Sequence, residues 1–399
     1  MTSTVAAPDP IARRARRSVT ALFAVNAMTY ASVVPWYPSL KSSLELSNAA
    51  LGASIAAMPL GAILTGMLAG PLIARLGSGA TAVWSGMLTA IALPIIAIAP
   101  SAWVFAAALF GLGCVDAWAD SAMNSHGLRV QRRYGRSIIN SFHATWSVFA
   151  VVGGLLGATA VGLGVPMVVH TSVTAVLLIL AMCLTVPGLL SGAEDTERAA
   201  EAGSRPAPTS ASRWPAPRAV GLILALGTLL MLAAAVEDSA PSWGAVYMRT
   251  ELAASAFVAG MPFVACQALM TSGRLVGDRL TDRFGAATVA RAGTLVAAFG
   301  LGVALLWPTQ FTTVLGFGLC GLGVATLFPL ALSTAGNVPG VRSGDGVTAV
   351  AWLARIGFLA FPPAVGFIAD ASSLRVGLII IPLGAVAAFF LSSALRPRN

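Results

Sequence analysis

Charge is what this chain has least of. Only 10% of its 399 residues are Asp, Glu, Lys or Arg, against 57% hydrophobic, and its mean hydropathy is +0.83. A soluble domain carries about a quarter of its residues as charge, so this composition excludes a water-exposed globular surface. Cysteine is also sparse: Cys114, Cys183, Cys266 and Cys320 fall inside apolar runs with no two closely spaced. That excludes a disulfide framework or a Cys-based zinc site and leaves them as small core residues. The three histidines, His126, His143 and His170, show no ligand spacing, and there is no G-x-S-x-G elbow, phosphate loop or zinc motif. No catalytic residue, metal or cofactor is assigned, and an enzyme is not expected.

What the chain has is apolar length. Runs of about 20 mostly apolar residues, each enough to span a bilayer as a helix, recur at 19–39, 49–73, 80–99, 102–127, 138–162, 165–190, 219–240, 252–276, 285–307, 310–335, 345–369 and 373–395. The first carries Asn26, Tyr30 and Pro35 and is not closed by a small-residue cleavage site, so it reads as a retained helix rather than a signal peptide. Between the sixth and seventh runs, 191–217 is rich in Ala, Pro, Ser and charge. Such a segment cannot bury enough apolar surface to fold and reads as a linker. The expectation is an all-α membrane protein of twelve transmembrane helices: an N-terminal arm over 1–18, a six-helix bundle over 19–190, the linker, a second bundle over 218–395 and a tail over 396–399.

The net charge of +9 is carried almost entirely by arginine. Its placement argues against nucleic acid, because Arg13, Arg14, Arg16, Arg17, Arg129, Arg132, Arg133 and Arg136 cluster in alternate loops while few basic residues, Lys41, Arg249 and Arg375 among them, fall on the other side. By the positive-inside rule both termini are expected in the cytoplasm.

The two halves echo each other. Gly70-Pro71-Leu72-Ile73-Ala74-Arg75-Leu76-Gly77 aligns with Asp278-Arg279-Leu280-Thr281-Asp282-Arg283-Phe284-Gly285 at an offset of 208 residues. The second copy resembles the G-x-x-x-D-R-x-G loop of the major facilitator superfamily, and the first is a degenerate copy with Ala74 in the acidic position. The resemblance covers the whole chain and implies two six-helix bundles related by a pseudo-two-fold axis around a central site. Asp120-Ser121-Ala122-Met123-Asn124, Arg133-Tyr134-Gly135-Arg136, Ser141-Phe142-His143-Ala144, Trp243-Gly244-Ala245-Val246-Tyr247 and Gly273-Arg274-Leu275-Val276-Gly277-Asp278-Arg279 are similar to a bacterial branch of rhizopine-locus and fucose-permease-like proteins. The chain departs from that branch at Trp36 and Ser242, where Arg and Asp are expected. The resemblance implies a monomer in the bacterial cytoplasmic membrane, with a small-molecule solute, protons and the lipid bilayer as partners. It also implies a gating role for Arg75, Gly77, Asp278, Asp282, Arg283 and Gly285, with Asp282 and Arg283 bridging to the end of the eleventh helix in one conformer.

Candidate site residues follow from charge at bilayer depth. Asp116, Asp120 and Asn124 are spaced by four and lie on one helix face. A carboxylate there costs about 2.5–3.5 kcal/mol on insertion scales, so the stripe should face a wet cavity or a partner. Helix direction puts Asp120, Asn124 and His143 at one level, a titratable combination suited to proton coupling; the alternative is that His143 only bonds backbone and ties helices. Glu237 and Asp238 near the end of the seventh helix are further coupling candidates. Arg355 at mid-depth needs an anion, which can be a solute carboxylate or Asp116 or Glu237. Asn26, Tyr30, Trp146, Gln267 and Trp352 complete the candidate solute contacts, the aromatics serving either as stacking surfaces or as packing.

Two transport readings remain open in the sequence. One is a proton-coupled transporter of a sugar-like or other polar solute. The alternative is a proton-coupled exporter of drugs or of hydrophobic or cationic metabolites, against which the fifth helix reads Val152-Gly153-Gly154-Leu155-Leu156-Gly157, without the Gly-Pro pair that resembles antiporter signatures.

Overall fold

The computed structural model describes residues 9–191, 217–339, 341 and 343–396. The expected linker, apart from Ser191 and Pro217, lies outside the described residues, as do 1–8 and 397–399. The described residues form 12 helices long and apolar enough to cross a membrane: α1 (Pro10–Ser43), α2 (Asn48–Leu76), α3 (Ser78–Ala97), α4 (Ala102–Tyr134), α5 (Ile139–Gly162), α6 (Met167–Gly188), α7 (Pro217–Thr250), α8 (Ala256–Phe284), α9 (Ala286–Leu306), α10 (Gln310–Gly336), α11 (Gly344–Ala371) and α12 (Leu374–Leu395). Helix α1 starts well before the first apolar run. Asp9 caps it by accepting from the Ala12 N–H, as N-cap carboxylates do. Much of the expected arm is thus helix, with Ala12, Ala15 and Val19 buried and Arg13, Arg14 and Arg17 outside.

Packing repeats between the halves. In the first, α2 packs on α4, α3 on α4 and α6, and α1 on α5 and α6; in the second, α8 packs on α10, α9 on α10 and α12, and α7 on α11 and α12. Adding six to each helix number of the first set gives the second. Side-chain detail follows the same symmetry. The Met58 carbonyl of α2 occupies the space a Cβ on Gly113 of α4 would need, and 208 residues later the Cys266 carbonyl of α8 does the same to Gly321 of α10. Small residues let membrane helices approach this closely, since van der Waals packing rather than hydrophobicity joins them in lipid. Gly77 and Gly285, also 208 apart, both hold positive φ (84° and 81°), which a residue with a Cβ rarely adopts. Two six-helix bundles related by pseudo-two-fold symmetry result. Even the helix breaks correspond: α1 tightens at Val34–Trp36 beside Pro35, and α7 loosens into a π turn at Ala240–Gly244 around Pro241.

The bundles meet through α2 on α11 and α5 on α8. At the end away from the arginine clusters the meeting is tight. Asp370 of α11 accepts the N–H groups of Asn48 and Ala49 at the start of α2, at 2.8 and 2.9 Å. Gly52 lies against the Pro362 carbonyl, and Gly162 of α5 against Phe257 of α8. Toward the Arg-rich end the same helices turn to their own bundles: Ala69–Leu76 of α2 packs on α3 and α4, and Gly273 and Gly277 of α8 lie against Leu322, Ala325 and Thr326 of α10. The molecule is closed at one end and parted at the other.

At the Arg-rich end the arginines tie the first bundle together. Arg16 of α1 donates to the Tyr134 hydroxyl of α4 at 3.0 Å, and Arg16 and Arg136 both lie over the Tyr134 ring. Arg133 reaches Asp9 at 2.9 Å. The Ala12 N–H and then the Arg133 guanidinium hold the Asp9 carboxyl below the usual carboxylate range. The Gln131 side chain accepts the N–H groups of Ile138 and Ile139, capping the start of α5.

Candidate functional site

The polar stripe on α4 falls where spacing puts it, but its partners differ from those expected. Asp116, midway along α4, accepts the Asn26 amide of α1 at 2.7 Å, and the Asn26 carbonyl oxygen accepts the Trp146 indole N–H of α5 at 2.8 Å. Three helices of the first bundle are joined by this chain. Asp120, one turn on, accepts the Asn124 amide at 2.9 Å, and the same amide reaches the Asp120 backbone carbonyl. Asp120 is exposed and has no ion pair among the described residues. Arg355 of α11, in the other bundle, is close enough for its charge to act on Asp120. The stripe therefore faces the space between the bundles.

His143 does not join Asp120. Its ring stands edge-on to Phe23 of α1 at 5.2 Å and is exposed, with the charge of Arg274 on α8 acting on it. The reason is packing: α5 lies chiefly on α1 and α8, and only marginally on α4, so its inward face meets Phe23 and Arg274. The Asp116–Arg355 pairing is likewise not formed, because Asn26 occupies the Asp116 carboxylate. Arg355 stacks its guanidinium over Trp352 at 5.8 Å.

In the second bundle Asp238 accepts the Ser242 hydroxyl at 2.6 Å across the π turn of α7. Such turns are frequent at functional sites. Glu237 stands 4.0 Å from Arg274, which also donates to Ser147 of α5 at 3.3 Å and so touches both bundles. Arg274 is not among the residues that charge at bilayer depth singles out, although it lies inside the eighth apolar run two helical turns after Gln267 and shares its face. Gln267 itself is buried, and its side-chain oxygen has no partner among the described residues. Tyr30 of α1 sets its ring edge-on to Phe263 of α8 at 6.3 Å, within electrostatic reach of Asp116, Glu237 and Asp238. Trp36 packs on His170 and Trp118 donates to the Thr65 carbonyl, so both serve packing.

The expected latch is disengaged in this conformer. Asp278 and Asp282 are exposed and form no hydrogen bond or ion pair among the described residues; Arg283 lies over its neighbour Phe284, and Arg75 is exposed. This fits a molecule parted at that end. A depression of about 750 Å³ at the opposite end is ringed by Pro35, Lys41, Glu45, Arg249 and Thr250, away from the stripe.

No family model matches the chain. Uncharacterized transporter y4wD of Sinorhizobium fredii is 30% identical over 386 residues, covering 95% of this chain and 98% of that protein. An uncharacterized MFS-type transporter of Yersinia pestis is 28% identical over 368 residues, 92% of each chain. Among solved structures, the nucleoside transporter NupG matches with a TM-score of 0.73 at 14% identity, over 98% of this chain and 100% of its own, a likeness of fold.

Proposed function

The chain belongs to the major facilitator superfamily of transporters, and from that membership we propose that it is a proton-coupled secondary transporter. Its cargo is a small polar organic solute, sugar-like or otherwise rich in hydrogen-bonding groups, carried across the bacterial inner membrane by alternating access. One observation carries this reading. Asp120 stands inside a membrane-spanning helix, open to the space between the bundles and without an ion pair among the described residues. A carboxylate kept at that depth costs about 2.5–3.5 kcal/mol, and such residues mark solute paths and proton relays.

The roles divide as follows. Asp120 carries the proton, with the charges of Asp116 and Arg355 acting on it, and His143, Glu237 and Asp238 are the further titratable groups of the site. Asn26, Asp116, Asn124 and Trp146 present hydrogen-bonding groups from the first bundle, and Tyr30, Gln267, Trp352 and Arg355 complete the site. With the Arg-rich face in the cytoplasm by the positive-inside rule, the conformer described opens inward. The return to an outward-open state requires the Asp370 contact to release and the loop with Asp278, Asp282, Arg283 and Gly285, with its counterpart at Arg75 and Gly77, to close at the cytoplasmic end.

The test is reconstitution. A solute is first found by thermal stabilisation, since a ligand that binds the native state raises its melting temperature by mass action. Its uptake into proteoliposomes should then rise with an imposed proton gradient and fall to the passive level with a protonophore. Uptake indifferent to the gradient refutes the coupling.

A further inference from the structure

Building on the transporter reading, one asymmetry among the charged side chains narrows the solute class. Each carboxylate of the central region has a polar partner in the protein: Asp116 the Asn26 amide, Asp120 the Asn124 amide, Asp238 the Ser242 hydroxyl, and Glu237 the Arg274 guanidinium. Arg274 is held in turn by Ser147. Arg355 does not follow this pattern. Among the described residues it makes no hydrogen bond and has no carboxylate within 4.0 Å, and its specific neighbour is the Trp352 ring at 5.8 Å. It is exposed on a membrane-spanning stretch of α11. The two internal anions that its depth called for, Asp116 and Glu237, are engaged with Asn26 and Arg274, and Asp120, which the charge of Arg355 reaches, forms no ion pair with it and holds the Asn124 amide instead.

We propose that Arg355 anchors a carboxylate of the transported solute, which makes that solute a small organic monoanion, with its remaining body lying on the exposed face of Trp352. A guanidinium is planar, always charged, and presents paired N–H donors that match the two oxygens of a carboxylate. Trp352 lies three residues before Arg355 on the same helix, 40% exposed, and offers a flat apolar face beside the charge. The charges facing this space also limit the anion. Asp120, which the charge of Arg355 reaches, and Asp116 beside it would repel a second negative charge, and Arg274 is shared between Glu237 and Ser147. One carboxylate fits; a phosphate dianion does not.

The experiment compares acids with their neutral counterparts on the purified full-length protein: D-glucuronate with D-glucose, D-gluconate with D-sorbitol, lactate with lactamide, and benzoate with benzamide. Thermal shift and equilibrium binding are read for the wild type, Arg355→Gln and Arg355→Lys, with the ligand-free melting temperature reporting the fold of each variant. At least one acid should stabilise the wild type while its neutral partner does not. Arg355→Gln should weaken that acid at least tenfold, and Arg355→Lys, which keeps the charge but loses the planar fork, should fall between. The proposal is overturned if neutral partners stabilise as well as the acids, if no acid stabilises, or if the acid binds Arg355→Gln as it binds the wild type. Failure of the transport reading has a different signature: an acid held through Arg355 that proteoliposomes do not accumulate or exchange.

Discussion

Asn26 donates its amide to the Asp116 carboxylate over 2.7 Å, so the first acid of the α4 stripe is held by a neighbouring helix of its own bundle and not by a cation of the other. Because Trp146 donates to the same Asn26 side chain, Asn26→Ala strips a partner from both Asp116 and Trp146. The expected cost is about 1–3 kcal/mol, the penalty of leaving a buried polar group unpaired, visible as a lower melting temperature. Asp116→Asn keeps hydrogen-bonding capacity but removes charge, and should weaken solute binding about tenfold, near 1.4 kcal/mol. Wild-type melting of Asn26→Ala would show that the three-helix chain of bonds does not support the fold.

Asp370 and the start of α2 hold the closed end. Asp370→Ala removes an acceptor from the Asn48 and Ala49 N–H groups, a loss of capping worth about 0.5–2 kcal/mol. If that contact exists only in the conformer described, its population relative to the opposite one should fall by roughly 2- to 30-fold. Spin-label distances across the two mouths would report the change, and an unchanged distribution would contradict the assignment of Asp370 to the gate.

Asp282 should act in the opposite sense. It has no partner among the described residues, so Asp282→Asn removes no contact seen here, and any latch it forms belongs to the conformer closed at the Arg-rich end. The same distances should shift toward the state already described, with the melting temperature little altered. A shift toward the opposite state, or none, would leave the loop as a turn that only sets topology.

Orientation is tested independently. A reporter fused after Pro208 should read cytoplasmic and one fused after Glu251 external, because arginine is concentrated in alternate loops. The reverse pattern would invert the assignment of the two mouths.

The helices were legible in the sequence because the bilayer imposes length and apolarity on each of them. The repeat was legible because Gly77 and Gly285 must both adopt positive φ. The start of α1 was not, since Arg13 to Arg17 read as a charged arm while the buried Ala12, Ala15 and Val19 give only a weak apolar face. In the site, spacing by four puts Asp116, Asp120 and Asn124 on one face of α4. What spacing cannot supply is how one helix is rotated against another: contacts such as Gly113 on the Met58 carbonyl fix that rotation, and it turns His143 to Phe23, Asp116 to Asn26 and Arg274 to Glu237.

Asp120 is the proposed carrier of the coupled proton, and Asp120→Asn in proteoliposomes probes that role, because the amide mimics a permanently protonated carboxyl. With one solute, uptake driven by an imposed pH gradient and counterflow without any gradient are measured side by side. Gradient-driven accumulation should disappear while counterflow persists near the wild-type rate. Gradient-driven accumulation at the wild-type level would contradict that role and move the proton to Glu237 or Asp238.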